Sequence, residues 1–262
     1  MADEKLVQLK EQVYKDPRPA EYFDRFHEQT RRRTPDAMYE VVRVVLSPLI
    51  WLLWRGRAIN ADKVPDTGPV IIAPNHFSFL DHFFVAAFLR RKVHFMAKSQ
   101  LFFNPMSFVY RHGGVFPVRR GARDEEAFAT SRAVLRRGNT MVMYCEGGRS
   151  RTGSVSTEAK AGIGRIALET GAPVQPVAIF GSQKARNWRK LQVPKVTVLY
   201  GDPIQFPQVD EPTREQQQAV ADAVLAEIRR LFAEVQEGGR SGARERERER
   251  GRAQAGAGAP AA

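Results

Sequence analysis

The first residues equipped to do chemistry are His76 and Asp81, in the run Pro74-Asn75-His76-Phe77-Ser78-Phe79-Leu80-Asp81. An apolar stretch at residues 70–73 reads as a strand, which sets His76 on a strand-to-helix turn and Asp81 within the first turns of the helix that follows. There the two side chains can converge. A carboxylate beside an imidazole fixes its tautomer and stabilises the cation formed when the ring takes a proton, so the pair suits a general base and its orienter. Taken alone, the same spacing also suits a structural His-Asp pair, and no serine is compelled to be a nucleophile.

A second cluster, Tyr144-Cys145-Glu146-Gly147-Gly148-Arg149-Ser150-Arg151, also follows an apolar stretch. It therefore belongs on a strand-end loop, where α/β folds place ligands. Gly147 and Gly148 let the backbone approach a ligand closely, and Arg149 can grip a phosphate with two N–H groups. A plain glycine turn carrying solvated arginines fits the same residues. Cys145 reads as the last residue of a strand, with nothing nearby to activate its thiol. Gly113-Gly114-Val115-Phe116-Pro117-Val118-Arg119-Arg120 repeats the pattern of glycines, strand and arginine, and Met96-Ala97-Lys98 ends another strand with a cation. Lys98, Arg119 and Arg149 thus follow predicted strands and can share one face with His76.

Composition limits what these clusters serve. The chain has 262 residues, one cysteine and a formal net charge of +12, with 43% hydrophobic residues. A disulfide scaffold, a cysteine-rich zinc site and wholesale disorder are excluded, and His27, His76, His82, His94 and His112 lack the HExxH spacing. Residues 1–36 hold eight basic and eight acidic side chains, and residues 237–262 hold six Arg against four Glu, so about +10 falls on the body between them. So basic a body usually meets phosphate, on nucleic acid, anionic lipid or small molecules, although charge alone also serves plain solubility.

The elements that must position the clusters follow from periodicity. Strands are predicted at residues 70–73, 93–97, 114–118, 140–144, 174–180 and 196–200, and helices at 20–33, 81–90, 123–137, 160–170 and 213–235. Gly138 and Gly171 stand where helix C-termini favour glycine. This alternation implies an α/β fold, a layered domain at 58–236 with a central mostly parallel or mixed sheet flanked by helices. A polar, partly helical arm at 1–36 precedes it, its first ten residues too charged for a secretory leader, which places the protein in the cytoplasm. Residues 37–57 are the most apolar in the chain. Glu40, Arg43 and Ser47 draw a narrow polar stripe along a helix there, and Trp51, Trp54, Arg55 and Arg57 suit a helix lying in a membrane interface; a buried capping helix and a marginal span are the alternatives. Residues 237–262 read as a disordered Arg/Glu/Gly/Ala tail, although the Arg-Glu alternation could prolong the last helix.

In order and spacing the blocks resemble the glycerolipid acyltransferases, in particular 1-acylglycerol-3-phosphate acyltransferases of the PlsC type. That family's signature runs NHx4D, GxxFxxR, EGTRS and a proline-containing apolar strand. Here these are Asn75-His76 to Asp81, Gly113 to Arg119, Glu146 to Ser150, and Ala172-Pro173-Val174-Gln175-Pro176-Val177. Gly148 stands in place of the usual threonine and Pro117 in place of the usual isoleucine. The resemblance implies transfer of a fatty acyl group from a thioester of coenzyme A or acyl carrier protein to the free hydroxyl of lysophosphatidate, giving phosphatidate, with no metal and no resident cofactor. It implies His76 as base and Asp81 as its orienter, with Lys98, Arg119, Glu146, Gly147, Gly148, Arg149 and Ser150 around the substrate. The expected setting is the cytoplasmic face of the cell membrane, on an anionic lipid surface, with no nucleic acid involved. Another lysophospholipid or glycolipid acceptor, or a non-catalytic lipid-binding role, are the competing readings.

Overall fold

The structure, a computed structural model, describes residues 16–119, 124–150, 152–185 and 193–257. Arg120, Arg151, residues 1–15 of the arm and 258–262 of the tail lie outside the described residues. In chain order the elements are α1 (Asp24–Arg32), α2 (Ala37–Leu52), β1 (Arg57–Ile59), β2 (Val70–Pro74), α3 (Asp81–Ala86), β3 (Val93–Lys98), α4 (Met106–His112) and β4 (Val115–Val118). Then follow α5 (Glu125–Arg136), β5 (Thr140–Val142), α6 (Gly162–Thr170), β6 (Val174–Phe180), α7 (Ser182–Ala185), β7 (Thr197–Tyr200) and α8 (Arg214–Ala257).

The strands form one seven-stranded sheet in the order β1-β7-β6-β2-β5-β3-β4. From β6 to β4 all neighbours are parallel, while β7 runs antiparallel to β6 and β1 parallel to β7, so the expected mixed sheet is present. Five parallel strands therefore deliver their carboxyl ends to one edge. Alternation along β2 divides the core: Ile71 and Ala73 face a cluster with Val134, Ile163, Ile166, Val224 and Ile228, and Val70 and Ile72 face another with Ile50, Phe84, Val85 and Tyr200. Helices α5, α6 and α8 cover the first face; α2 and α3 cover the second.

Several sequence expectations need correction. β1 is a seventh strand that was not expected, since three residues beginning with arginine carry no periodicity and their partner β7 is distant in sequence. Helix α4 was likewise unassigned. The helix expected to reach residue 90 stops at Ala86, and the strand expected to reach residue 144 stops at Val142, so Cys145 lies in the turn beyond it. The described part of the arm, residues 16–36, docks on the body: Phe23 and Phe26 pack on Phe102, and His27 Nδ1 lies 2.9 Å from Thr130 Oγ1 on α5.

The largest correction concerns the tail, which is helical through Ala257 instead of disordered. Gly239 (φ 59°, ψ −161°) breaks α8 with a backbone conformation that suits glycine, and the remainder returns along the body. Arg240 donates to Thr197 Oγ1 at 2.9 Å and to the carbonyl of Val196 at 2.8 Å, and Ala243 is fully buried among Ile59, Leu199 and Leu231. Glu247 accepts from Asn60 at 2.5 Å and Lys63 at 2.9 Å, while Arg250 bridges it to Glu234. Apolar periodicity missed the segment because charged groups meeting across the fold hold it. Glu247→Ala should leave these donors facing a void and lower unfolding free energy by about 1–3 kcal/mol, read from denaturant melts against the unchanged chain.

Candidate active site

β2 ends at Pro74 on the carboxyl edge, and the chain turns through residues 75–80 into α3. Asn75, fully buried, ties that turn to the neighbouring strand: its side-chain nitrogen donates to the carbonyl of Ile179 at 3.0 Å and its oxygen accepts the Ile179 N–H at 2.6 Å. Asp81 ties it to the helix. Its Oδ2 accepts from Phe77 N–H at 2.7 Å, Ser78 N–H at 2.7 Å and His76 Nδ1 at 2.9 Å, and the residue is wholly buried. The predicted pair is thus formed, with backbone donors placing the carboxylate before the imidazole meets it. With Nδ1 occupied as a donor, the neutral ring carries its basic lone pair on Nε2.

The other face of the imidazole rests on Tyr144, the ring centres 3.9 Å apart and the planes 24° from parallel. Tyr144 Oη in turn lies 2.8 Å from His82 Nδ1. Neither Tyr144 nor His82 was singled out from sequence as part of the site. The one available signal was adjacency, since His82 follows Asp81 and Tyr144 opens the second cluster.

The second cluster meets the first through backbone and one carboxyl group. Glu146 Oε1 accepts the His76 N–H at 2.8 Å, Glu146 Oε2 accepts the Ser156 N–H at 3.2 Å, and Ser150 N–H donates to the His76 carbonyl at 2.8 Å. Glu146, expected at the substrate, therefore has the placement of a brace that joins the loop to the His76 turn. Burial pushes its carboxyl up to about 7, against the opposing pull of those two N–H donors. Gly147 takes φ 67°, and a Cβ there would come within 2.8 Å of Lys160, so glycine is required by both conformation and space. Ser150 Oγ donates to the Ser154 carbonyl at 2.7 Å and serves the loop itself. Burial and the neighbouring Glu146 charge push the Cys145 thiol up to about 12, which removes it as a nucleophile.

Lys98 and Arg119 arrive from adjacent parallel strands, Lys98 opposite Val118 in the ladder, and their Cα positions sit on the same sheet edge as His76. Arg119 N–H donates to Asp124 Oδ2 at 2.6 Å, which fixes its backbone. Among the described residues the side chains of Arg119 and Arg149 form no ion pair, and that of Arg149 is exposed. Gly148 and Arg149 lie between the Glu146 brace and the Ser150 backbone bond to His76, so the arginine's loop is anchored at both ends to the His76 turn.

Beside this edge opens an apolar cavity of about 270 Å³ between α2, α3, α4 and the ends of β3 and β4. Leu46, Phe79, Phe83, Phe95 and Val109 line it, and so does His82, whose ring centre is 5.3 Å from that of His76. Phe77 and Phe84, by contrast, are core residues.

A His-Asp pair, a cationic sheet edge and an apolar cavity thus lie together at the carboxyl ends of the parallel strands. The sequence model of the Acyltransferase family matches residues 56–180. Over this stretch, a little under half of its length, the chain is similar to that family. It is 26% identical over 206 residues to the 1-acyl-sn-glycerol-3-phosphate acyltransferase of Streptococcus pneumoniae, covering 76% of this chain and 75% of that one. It is 27% identical over 164 residues to the enzyme of that name from Cocos nucifera, covering 60% of this chain and about half (52%) of the coconut protein. The fold matches the crystal structure of the 1-acyl-sn-glycerophosphate (LPA) acyltransferase, PlsC, from Thermotoga maritima, with TM-score 0.52, 23% identity and coverage of 79% and 88% of the two chains.

The Glu146 shift carries a sign. A carboxyl held above its ordinary value favours the protonated folded state, so its contribution to stability is present below about pH 4.5 and is lost as pH rises towards 7. Subtracting the pH profile of Glu146→Gln from that of the unaltered chain, in urea melts between pH 4 and 8, should reveal this descending component.

Proposed function

We infer that the chain transfers a fatty acyl group from an acyl thioester to the free hydroxyl of 1-acylglycerol-3-phosphate, forming phosphatidate. The observation that carries this reading is the His76–Asp81 pair held beside an apolar cavity on a cationic sheet edge. In the proposed reaction His76 Nε2 takes the proton of the acceptor hydroxyl while its oxygen attacks the thioester carbonyl. Asp81 stabilises the imidazolium so formed. The tetrahedral intermediate then expels the thiolate, which recovers the proton from His76, and an ester bond has replaced a thioester. The thioester is already activated, so no covalent enzyme intermediate is needed.

An acyl chain fits the cavity by its chemistry, with Phe79 and Phe83 as wall. Arg119 and Arg149, with Lys98, supply charge for the acceptor phosphate; Gly147, Gly148 and Ser150 shape the loop that carries Arg149, and Glu146 braces it. Coenzyme A and acyl carrier protein are both suitable carriers of the donor, and no metal or resident cofactor enters the scheme.

Membrane attachment is part of the proposal and rests on α2. Its polar stripe faces the body: Arg43 pairs with Glu40 at 2.6 Å and donates to the Leu89 carbonyl at 3.2 Å, and Ser47 is buried. Val41, Val44, Val45, Leu49, Trp51 and Leu52 are exposed instead. Water disfavours such an inverted helix, whereas the boundary of an anionic bilayer favours it. Trp54, expected as a second interfacial anchor, packs on Phe84 with ring centres 5.8 Å apart, leaving Trp51 on the outer face. No helix among the described residues is long and apolar enough to cross a membrane. The basic body suits the cytoplasmic face, where anionic headgroups concentrate.

The reading is tested with the purified chain in anionic vesicles, labelled palmitoyl-coenzyme A and lysophosphatidate, beside lysophosphatidylcholine, lysophosphatidylglycerol and glycerol 3-phosphate. Phosphatidate should form, His76→Ala should abolish it, and Asp81→Asn should lower the rate by about 10²- to 10⁴-fold, as expected for loss of a base and its orienter. Product from another acceptor alone would rename the substrate, and no product from any acceptor with either carrier would end the catalytic reading. In vesicle flotation, Val44→Asp/Leu52→Asp should remain in the soluble fraction; flotation equal to the parent chain would remove α2 as the attachment.

A further inference from the structure

His76 Nδ1 is tied to Asp81 Oδ2 at 2.9 Å, and a bond at one ring nitrogen does not by itself set the tilt of the imidazole plane about it. A general base must keep its lone pair aimed at the acceptor hydroxyl to within a fraction of an ångström. Tyr144 restrains that tilt by lying flat against the ring, the centres 3.9 Å apart. It also faces the imidazole with the negative side of its π system, which attracts the ring more strongly once His76 carries a proton.

Tyr144 itself sits beyond the end of β5, where the last bond to β2 is the Met143 N–H to the Ile72 carbonyl at 2.9 Å. What orients its ring is the 2.8 Å bond between Oη and His82 Nδ1. His82 adjoins Asp81 on α3, so the two restraints on His76 spring from consecutive residues of one helix. A phenylalanine would stack equally well; the hydroxyl is explained by the link to His82. Burial and the nearby Asp81 charge push the phenol well above its ordinary range, so it keeps its proton.

We propose that Tyr144, latched by its hydroxyl to His82, is a positioning residue that holds the His76 imidazole in its proton-accepting orientation. This rests on His76 being the base. His82 has a second consequence in the same place, because it lines the apolar cavity: the latch lies where a bound acyl chain would meet the catalytic ring.

The test measures kcat and KM for palmitoyl-coenzyme A and lysophosphatidate in anionic vesicles, with thermal melts on each protein, for Tyr144→Phe, His82→Leu, their double variant, His82→Asn and His76→Ala. Tyr144→Phe keeps the stacked ring and loses the latch, and should lower kcat about tenfold with both KM values within about twofold. The double variant should be no slower than the slower single one, because both substitutions break the same bond. His82→Asn, whose amide oxygen can stand near the Nδ1 position, should run several-fold faster than His82→Leu. Tyr144→Phe with kcat within about twofold of the parent, or losses that multiply in the double variant, would overturn the latch. A fully active His76→Ala would overturn the base assignment and the latch with it, whereas an inactive His76→Ala beside an unimpaired Tyr144→Phe overturns the latch alone.

Discussion

One carboxylate oxygen organises the centre of this molecule. Asp81 Oδ2 gathers two backbone N–H groups from the turn that leaves β2 and the Nδ1 of His76, all within 2.9 Å. Buried N–H groups without a partner are costly, so satisfying the turn and orienting the imidazole are one event. The strand-to-helix connection at residues 75–80 has no regular ladder of its own. Asn75 secures its start to β6 and Asp81 its end to α3, and His76 is suspended between them.

The rest of the site is built outward from that turn by parallel pairing. Because β2, β3, β4, β5 and β6 run the same way, the loops that follow them emerge on one edge. This places Lys98, Arg119 and Arg149 on the sheet edge that carries His76. Glu146 then couples the arginine loop to the turn at residues 75–80 through the His76 N–H. Keeping a carboxyl in so dry a place raises its proton affinity, and the two backbone donors limit that penalty.

Polarity is divided just as sharply on the other side of the sheet. Helix α2 turns its Arg43 and Ser47 inward over a mainly apolar cavity, and Val41, Val44, Val45, Leu49 and Leu52 outward. At the opposite end of the sheet the charged helix after Gly239 closes over β1 and β7 with Arg240, Glu247 and Arg250, using ion pairs where the central layers use isoleucine and valine.

Local pattern in the sequence determined the six strands with apolar runs, the glycine-ended helices α5 and α6, and the His76–Asp81 pair, because period, capping and a short turn act over a few residues. It also held the order of the motif blocks, and hence the resemblance to the glycerolipid acyltransferases. The fate of residues 237–257, the pairing of β1 with β7 and the inward face of α2 were decided by groups far apart in the chain, such as Glu247 with Lys63 and Arg43 with Leu89. Tyr144 belongs with these. Nothing in its neighbourhood along the chain announces a partner for its hydroxyl, and only the sheet, by setting the end of β5 against the start of α3, brings it between His76 and His82. Short-range periodicity records where a residue is buried; which polar groups meet across the fold depends on three-dimensional proximity, which a one-dimensional pattern does not contain.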